Sequence, residues 1–268
     1  MTHPESIPEH IGCNRTSKQK HSDRRLLLGS SSEAVRKMFD RIAPFYVLLN
    51  HILSFGMDFS WRRKLANTIN KNKKLQVLDL ATGTGDLLIS LLKRNHNITN
   101  AVGLDISENM LKLCRKKIVK HKLFDRVTLI LADAADTGLF DESFDIVTMG
   151  FGIRNTPDVS KTLSEIHRLL KHDGTVLILE FASPSNRIIR KLYFLYLHNF
   201  VPLLGRLISR DRNACRYLNT SIENFYSTDD LSSLMQKAGF SDISATPLTF
   251  GIVCIYKANK TSTGSPEN

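Results

Sequence analysis

The residues that could do chemistry begin with a glycine turn. The run Val77-Leu78-Asp79-Leu80-Ala81-Thr82-Gly83-Thr84-Gly85-Asp86 passes from an apolar segment through two glycines into a helix-like segment. Glycines at such a turn let the backbone approach a bound molecule closely. A lone GxG is weak, but its place after the first strand of an alternating unit strengthens it. Three acids share this setting. Asp79 lies four residues before Gly83, Asp105 ends the next apolar run 20 residues after Gly85, and Asp133, followed by Ala134, ends the third. Carboxylates at successive strand ends gather along the crevice at the carboxyl edge of a parallel sheet.

Two nucleotide-type ligands compete for this turn. A dinucleotide needs a third glycine for close helix–strand packing, and Leu88 stands there. It also rests its pyrophosphate on the helix N-terminus, where Asp86 would repel it. S-adenosylmethionine has no phosphate, carrying instead a sulfonium and an amino acid. The expected cofactor site is therefore Asp79, Gly83, Thr84, Gly85, Asp105, Asp133 and Ala134. Asp79 would face the ammonium directly or through water, Asp105 the two ribose hydroxyls, and Asp133 with the Ala134 NH the adenine. No metal cluster is expected.

The elements that must position these residues are read from periodicity. Strands are expected at 75–80, 101–104, 127–131, 144–149 and 175–181, separated by helices that include 110–119 and 159–170. Such alternation means a parallel sheet with helices on both faces. A helix is expected from about Thr228 to Gly239, then strands at 243–247 and 251–256. So short a connection makes a hairpin, with an antiparallel last strand. Upstream, a helix is expected from Ser30, ended or kinked at Pro44. The apolar and aromatic segment 45–61 is too apolar for an exposed linker and is expected to pack against the rest of the chain, as a lid over a pocket. The expected domain layout is a flexible arm at 1–29, one domain at 30–258 with a helical lid at 30–74, and a polar tail at 259–268.

Composition bounds the rest. The chain has 268 residues, 37 Lys and Arg against 26 Asp and Glu, a formal charge of +11 and 4 widely spaced cysteines. A disulfide framework is disfavoured, as is a secretory leader. The apolar segment 192–208 carries His198, Asn199, Pro202, Gly205 and Arg206 and is too broken to span a bilayer. A cytoplasmic protein is expected. The basic balance suits nucleic acid, an anionic membrane or an acidic substrate, or merely solvates the fold.

Beyond the glycine loop, several blocks carry a resemblance. They are Phe151-Gly152-Ile153-Arg154-Asn155 after the fourth strand, Leu179-Glu180-Phe181, Arg216-Tyr217-Leu218 and Leu248-Thr249-Phe250-Gly251-Ile252-Val253. Upstream, Val35-Arg36-Lys37-Met38-Phe39-Asp40-Arg41-Ile42-Ala43 is followed by Tyr46, Asn50, Ser54, Gly56 and Trp61. Over about residues 32–257 the chain resembles the UbiE/MenG family of ubiquinone and menaquinone C-methyltransferases. It departs at Val47, where the family has Asp, at Thr82 in a glycine pair, at Asp58 in place of a His, and at Asn213-Ala214.

The resemblance implies a class I methyltransferase fold: a mostly parallel seven-stranded sheet with an antiparallel last strand and helices on both faces. It implies methylation of a ring carbon of a reduced polyprenyl quinone, demethylmenaquinol or the related methoxy-benzoquinol. Arg154 would stabilise phenolate charge, Asn155 orient a hydroxyl or water, and Tyr46 and His51 accept or relay a proton. His198 is given a structural part. The substrate tail implies peripheral contact with the inner face of an anionic membrane through 192–208 and its basic flanks, and a homodimer is left open. The rivals are a nucleic-acid methyltransferase, weakened by the lack of a Pro-Pro motif and of a Cys after the fourth strand, a noncatalytic quinone-binding accessory protein, and a nicotinamide oxidoreductase.

Overall fold

In the computed structural model the described residues are 32–208 and 212–261. The arm expected at 1–29, the cap residue Ser30 and the tail beyond residue 261 lie outside them. Two lid helices, α1 (Ser32–Leu53) and α2 (Met57–Ala66), precede an alternating core. That core comprises β1 (Leu75–Leu80), α3 (Asp86–Arg94), β2 (Ile98–Asp105), α4 (Glu108–Lys120), β3 (Val127–Leu131), β4 (Phe144–Gly150), α5 (Val159–Leu169) and β5 (Leu170–Phe181). Then follow α6 (Arg187–Ile208), α7 (Arg212–Glu223), α8 (Thr228–Lys237), β6 (Phe240–Leu248) and β7 (Val253–Lys260).

The sheet has seven strands in the order β3-β2-β1-β4-β5-β7-β6. The pairs from β3 through β5 are parallel, and β7 runs antiparallel to both β5 and β6. Successive β1 side chains serve opposite faces, as strand geometry requires. Leu75 and Val77 pack with Trp61, Leu88 and Ile118, whereas Leu78 and Leu80 pack with Leu163, Ile166 and Met235. Burial on both faces explains why the parallel strands read as near-continuous apolar runs. Chain direction across the sheet reverses between β1 and β4, and the crevice above their carboxyl ends is where such folds bind ligands.

Three expectations need correction. Of the two outcomes expected at Pro44, a helix end is overturned, since α1 continues through it to Leu53. A proline lacks the N–H that would bond the carbonyl four residues back. Here that carbonyl, on Asp40, accepts from Asn109 Nδ2 at 3.3 Å instead. The strand expected at 175–181 begins at Leu170, with a register shift that absorbs the Asp173–Gly174 turn. Asp173, not the glycine, takes the left-handed conformation, at φ 59°. The strand expected from Ile243 begins at Phe240 and likewise carries an irregularity in its pairing.

Candidate active site

The glycine turn follows β1 and leads directly into α3. Gly83 and Gly85 have φ of 56° and 80°, a region costly for residues with a Cβ. A Cβ on Gly85 would also sit 2.4 Å from Cys114 Sγ. The Gly83 N–H donates to Asp105 Oδ2 at 2.7 Å, and the Ser107 N–H donates to Oδ1 at 2.8 Å. Each oxygen retains a lone pair for a ligand hydroxyl. Burial pushes Asp105 up to about 6, against the opposing pull of those N–H groups.

Asp79 lies beneath the loop, 1% exposed. Its oxygens accept from Thr82 Oγ1 at 2.7 Å and Thr148 Oγ1 at 2.6 Å. Burial pushes it to about 6 as well. Thr84 lines a small space together with Asp79 and Gly83, its Oγ1 donating to Asp86 and accepting from Lys117, and Lys117 Nζ lies 2.5 Å from Asp86. Asp133 and Ala134 line the narrow cleft together with Gly83 and Asp105. The lid enters here unannounced by the sequence: Ser32 Oγ donates to Asp133 Oδ2 at 2.7 Å. Asp40 Oδ1 accepts from Ser107 Oγ at 2.6 Å.

Beside this cleft lies a second cavity of about 560 Å³, walled by the lid, α6 and the β6–β7 turn. Its lining is mainly aromatic and aliphatic, including Trp61, Phe181, Tyr193 and Tyr196, with few polar groups. Tyr46 and Phe151 line both spaces, so what occupies one meets what occupies the other there. Burial pushes the Tyr46 phenol up, with Arg154 and Asn50 opposing. Tyr46 is thus a neutral hydroxyl near neutral pH.

Arg154 is 5% exposed and lines the large cavity. Its Nη1 donates to Glu180 Oε1 at 2.7 Å and to the Phe151 carbonyl at 2.7 Å. Its guanidinium carbon stands 5.1 Å from the centre of the Phe181 ring. Burial opposes its charge, but Glu180, with smaller help from Tyr46 and Tyr217, keeps it protonated. Glu180 is fully buried, and sequence reasoning gave it no part. Asn155 lines the narrow cleft rather than the large cavity, donating to the Phe151 carbonyl and accepting from Tyr217 Oη at 3.1 Å.

His51 is placed one layer outside the cavity. Its Nδ1 lies 2.7 Å from Asp58 Oδ2 and its ring stacks on Phe59. Asp58 itself lines the cavity. Burial works to raise the Asp58 carboxyl, but Arg62, Ser54 and His51 together hold it below its ordinary value. Sequence reading noted Asp58 only as a departure from the expected His. His198, given a structural part, is an exposed side chain bonded to the Phe194 carbonyl and paired with Glu223 at 3.0 Å.

A family model described as the ubiE/COQ5 methyltransferase family matches residues 27–260. The chain belongs to this family. It is 39% identical over 232 residues to the demethylmenaquinone methyltransferase of Bacteroides fragilis, covering 87% of this chain and 94% of the relative. The protein of that name from Thermotoga maritima is 40% identical over 229 residues, covering 85% and 96%. The ubiquinone/menaquinone biosynthesis C-methyltransferase UbiE of Geobacter sulfurreducens is 39% identical, covering 87% and 91%. A solved S-adenosylmethionine-dependent methyltransferase from Aquifex aeolicus shares the fold, with a TM-score of 0.56 at 17% identity over 75% of this chain and 89% of that one. So does the cyclase SpnF, with a TM-score of 0.62 at 14% identity over 87% and 97%. A cyclase on the same scaffold shows why function must be argued from the site.

Proposed function

We propose that the chain methylates a ring carbon of a reduced polyprenyl quinone precursor, with Arg154 and Tyr46 as the groups that hold the reacting ring. The cofactor is S-adenosyl-L-methionine, and the enzyme is a C-methyltransferase of quinone biosynthesis. The residues present fit that cofactor: two left-handed glycines, two buried carboxylates at strand ends, and an acid at the helix N-terminus that disfavours a phosphate ligand. When bound, it supplies an electrophilic methyl group on a sulfonium.

The observation that carries the reading is the pair of adjoining spaces that share Tyr46 and Phe151. A narrow cleft that holds Asp105 and Asp133 among apolar walls, beside a large apolar cavity, suits an adenosyl cofactor and a greasy aromatic substrate with a long tail. The protein must also make the ring electron-rich, which means stabilising a phenolate. Arg154, charged and held by Glu180 in apolar surroundings, is aimed at that task. Tyr46, kept neutral, donates a hydrogen bond and positions the ring. Asp58 offers the phenolic proton a route to His51, which reaches solvent.

The test is transfer of labelled methyl from S-adenosylmethionine to demethylmenaquinol, with the oxidised quinone and a tRNA transcript as comparisons. Loss of one preorganised charge-stabilising donor costs about 100- to 1000-fold in rate. We expect that loss in Arg154→Ala, and in the Arg154→Ala/Glu180→Ala pair, which leaves no lone buried carboxylate. Cofactor affinity should stay near wild type in the pair. Product from RNA but from no quinol would reject the substrate class; intact quinol turnover in the pair would reject only the role of Arg154.

A further inference from the structure

The mouth of the apolar cavity is ringed by aromatic side chains that nothing in the fold requires to be outside. Phe55 and Phe250 line the cavity yet are 74% and 79% exposed. Both have left-handed backbones, with φ of 51° and 57°, and Thr249 beside Phe250 has φ 47°. Such conformations are costly for bulky and β-branched residues, so the backbone is strained where it turns these rings outward. Phe55 stands at the corner where α1 and α2 meet at 93°.

The collar continues along α6. Tyr193, Leu197 and Val201 pack inward against Ile222. Ile188, Leu192, Leu195 and Leu203, at spacings of three and four or their multiples, lie exposed on another face. A helix apolar on both sides needs something to cover the second one. Phe55 lies 5.9 Å from Tyr196, which stacks on Phe200 at 5.8 Å, so collar and helix are continuous. No single helix among the described residues is long and apolar enough to cross a membrane.

The flanks are basic. Arg187, Arg190 and Lys191 are exposed on α6. A groove starting at the same corner, at Gly56 and Phe59, is lined by Arg63, Lys93 and Arg94, with Asp86 as its one acidic lining residue. Resting on the proposed quinol reading, we infer that this collar docks on an anionic lipid bilayer, with Phe55, Phe250 and the outer stripe of α6 in the acyl boundary. The cavity mouth then opens into the lipid, and the substrate tail passes from bilayer to enzyme without crossing water. A second copy of the chain fits less well. Symmetric pairing would set the basic flanks against each other and would stopper the cavity.

The experiment is cosedimentation of the full chain with vesicles of phosphatidylcholine alone and with phosphatidylglycerol added. Wild type should bind the anionic vesicles, and binding should fall as salt rises from about 0.1 to 1 M. Ile188→Ser/Leu195→Ser, at residues outside the cavity lining, should weaken binding about tenfold or more. The same variant should keep wild-type turnover of a short-tailed, water-soluble quinol. Phe250→Gly relieves strain at an exposed position, so it should lower vesicle binding with no fall in Tm, which separates docking from folding. No sedimentation, equal binding to both vesicles, or wild-type binding by Ile188→Ser/Leu195→Ser would overturn the inference. So would a dimer in sedimentation velocity that those two substitutions dissociate. Vesicle binding as expected with no quinol turnover would leave the docking face standing and reject the substrate instead.

Discussion

Two buried carboxylates stand at the glycine turn where the cofactor is proposed to bind, and their protons couple folding to binding in opposite directions. Asp79 and Asp105 titrate at about 6 in the folded chain, against an ordinary 3.8. Between about pH 4 and 6 the folded chain therefore binds more protons than the unfolded one. Their contribution to stability is fully present below that window and declines as pH rises through it. A cationic cofactor favours the ionised forms. Its affinity should be flat from pH 8 to 7 and weaken below about 6, with protons released on binding near pH 5.5. Titration calorimetry in two buffers of different ionisation enthalpy reads both effects, and a Kd unchanged down to pH 5 would reject them. Asp105→Ala should weaken binding by roughly 1.5–3 kcal/mol at pH 7.5. These acids were legible in the sequence because each sits at a fixed offset from the glycine turn or a strand end. Glu180, Asp58 and Ser32 were not. Glu180 meets Arg154 across 26 residues of chain and Ser32 meets Asp133 across 101. Arg62 is the helical neighbour of Asp58 four residues on, but Asp58 gains its part from His51, which only the lid's bend brings to it.

At the scale of elements, the strand–turn–helix unit of β1 and α3 is held by one close approach. Gly85 both starts α3 and touches Cys114 on α4, which is fully buried. Gly85→Ala should cost about 1–2 kcal/mol for the left-handed backbone and a further 1–3, roughly, for overpacking. Urea denaturation of Gly85→Ala with and without Cys114→Ala tests the division. The second substitution should recover part of the overpacking loss and none of the conformational cost; no recovery would place the whole effect in the backbone. The parallel alternation and the final hairpin followed from periodicity, since strands buried on both faces leave clear apolar runs, whereas the order of strands in the sheet came only from the structure. Pro44 misled because its effect depends on a distant partner. Asn109 satisfies the Asp40 carbonyl that the proline leaves without a helix bond, and no local pattern encodes that.

Over the whole molecule the lid is the part that must move, because it covers both ligand spaces. Among the bonds that fasten it to the core are three between side chains of the lid and side chains of the sheet and its loops. Ser32 bonds Asp133, Asp40 bonds Ser107, and Trp61 Nε1 donates to Thr249 Oγ1 at 2.7 Å. Two of the three end on or beside residues proposed to read the cofactor, since Ser107 also donates its N–H to Asp105. Lid position and cofactor occupancy are thus linked through shared groups, and what steadies one steadies the other. Removing the Asp40 carboxylate deletes acceptors for Ser107 Oγ and the Asn109 N–H, a loss of about 1–2 kcal/mol. Asp40→Ala should weaken cofactor binding by less than Asp105→Ala does, because it touches the cofactor only through Ser107. It should also speed limited proteolysis within residues 32–66 several-fold, as local opening rises while the sheet stays folded. Added S-adenosylmethionine should slow that cleavage in wild type and slow it less in Asp40→Ala. Equal protection in the two proteins would show that the lid closes independently of the cofactor, and the coupling through Ser107 would then have to be abandoned.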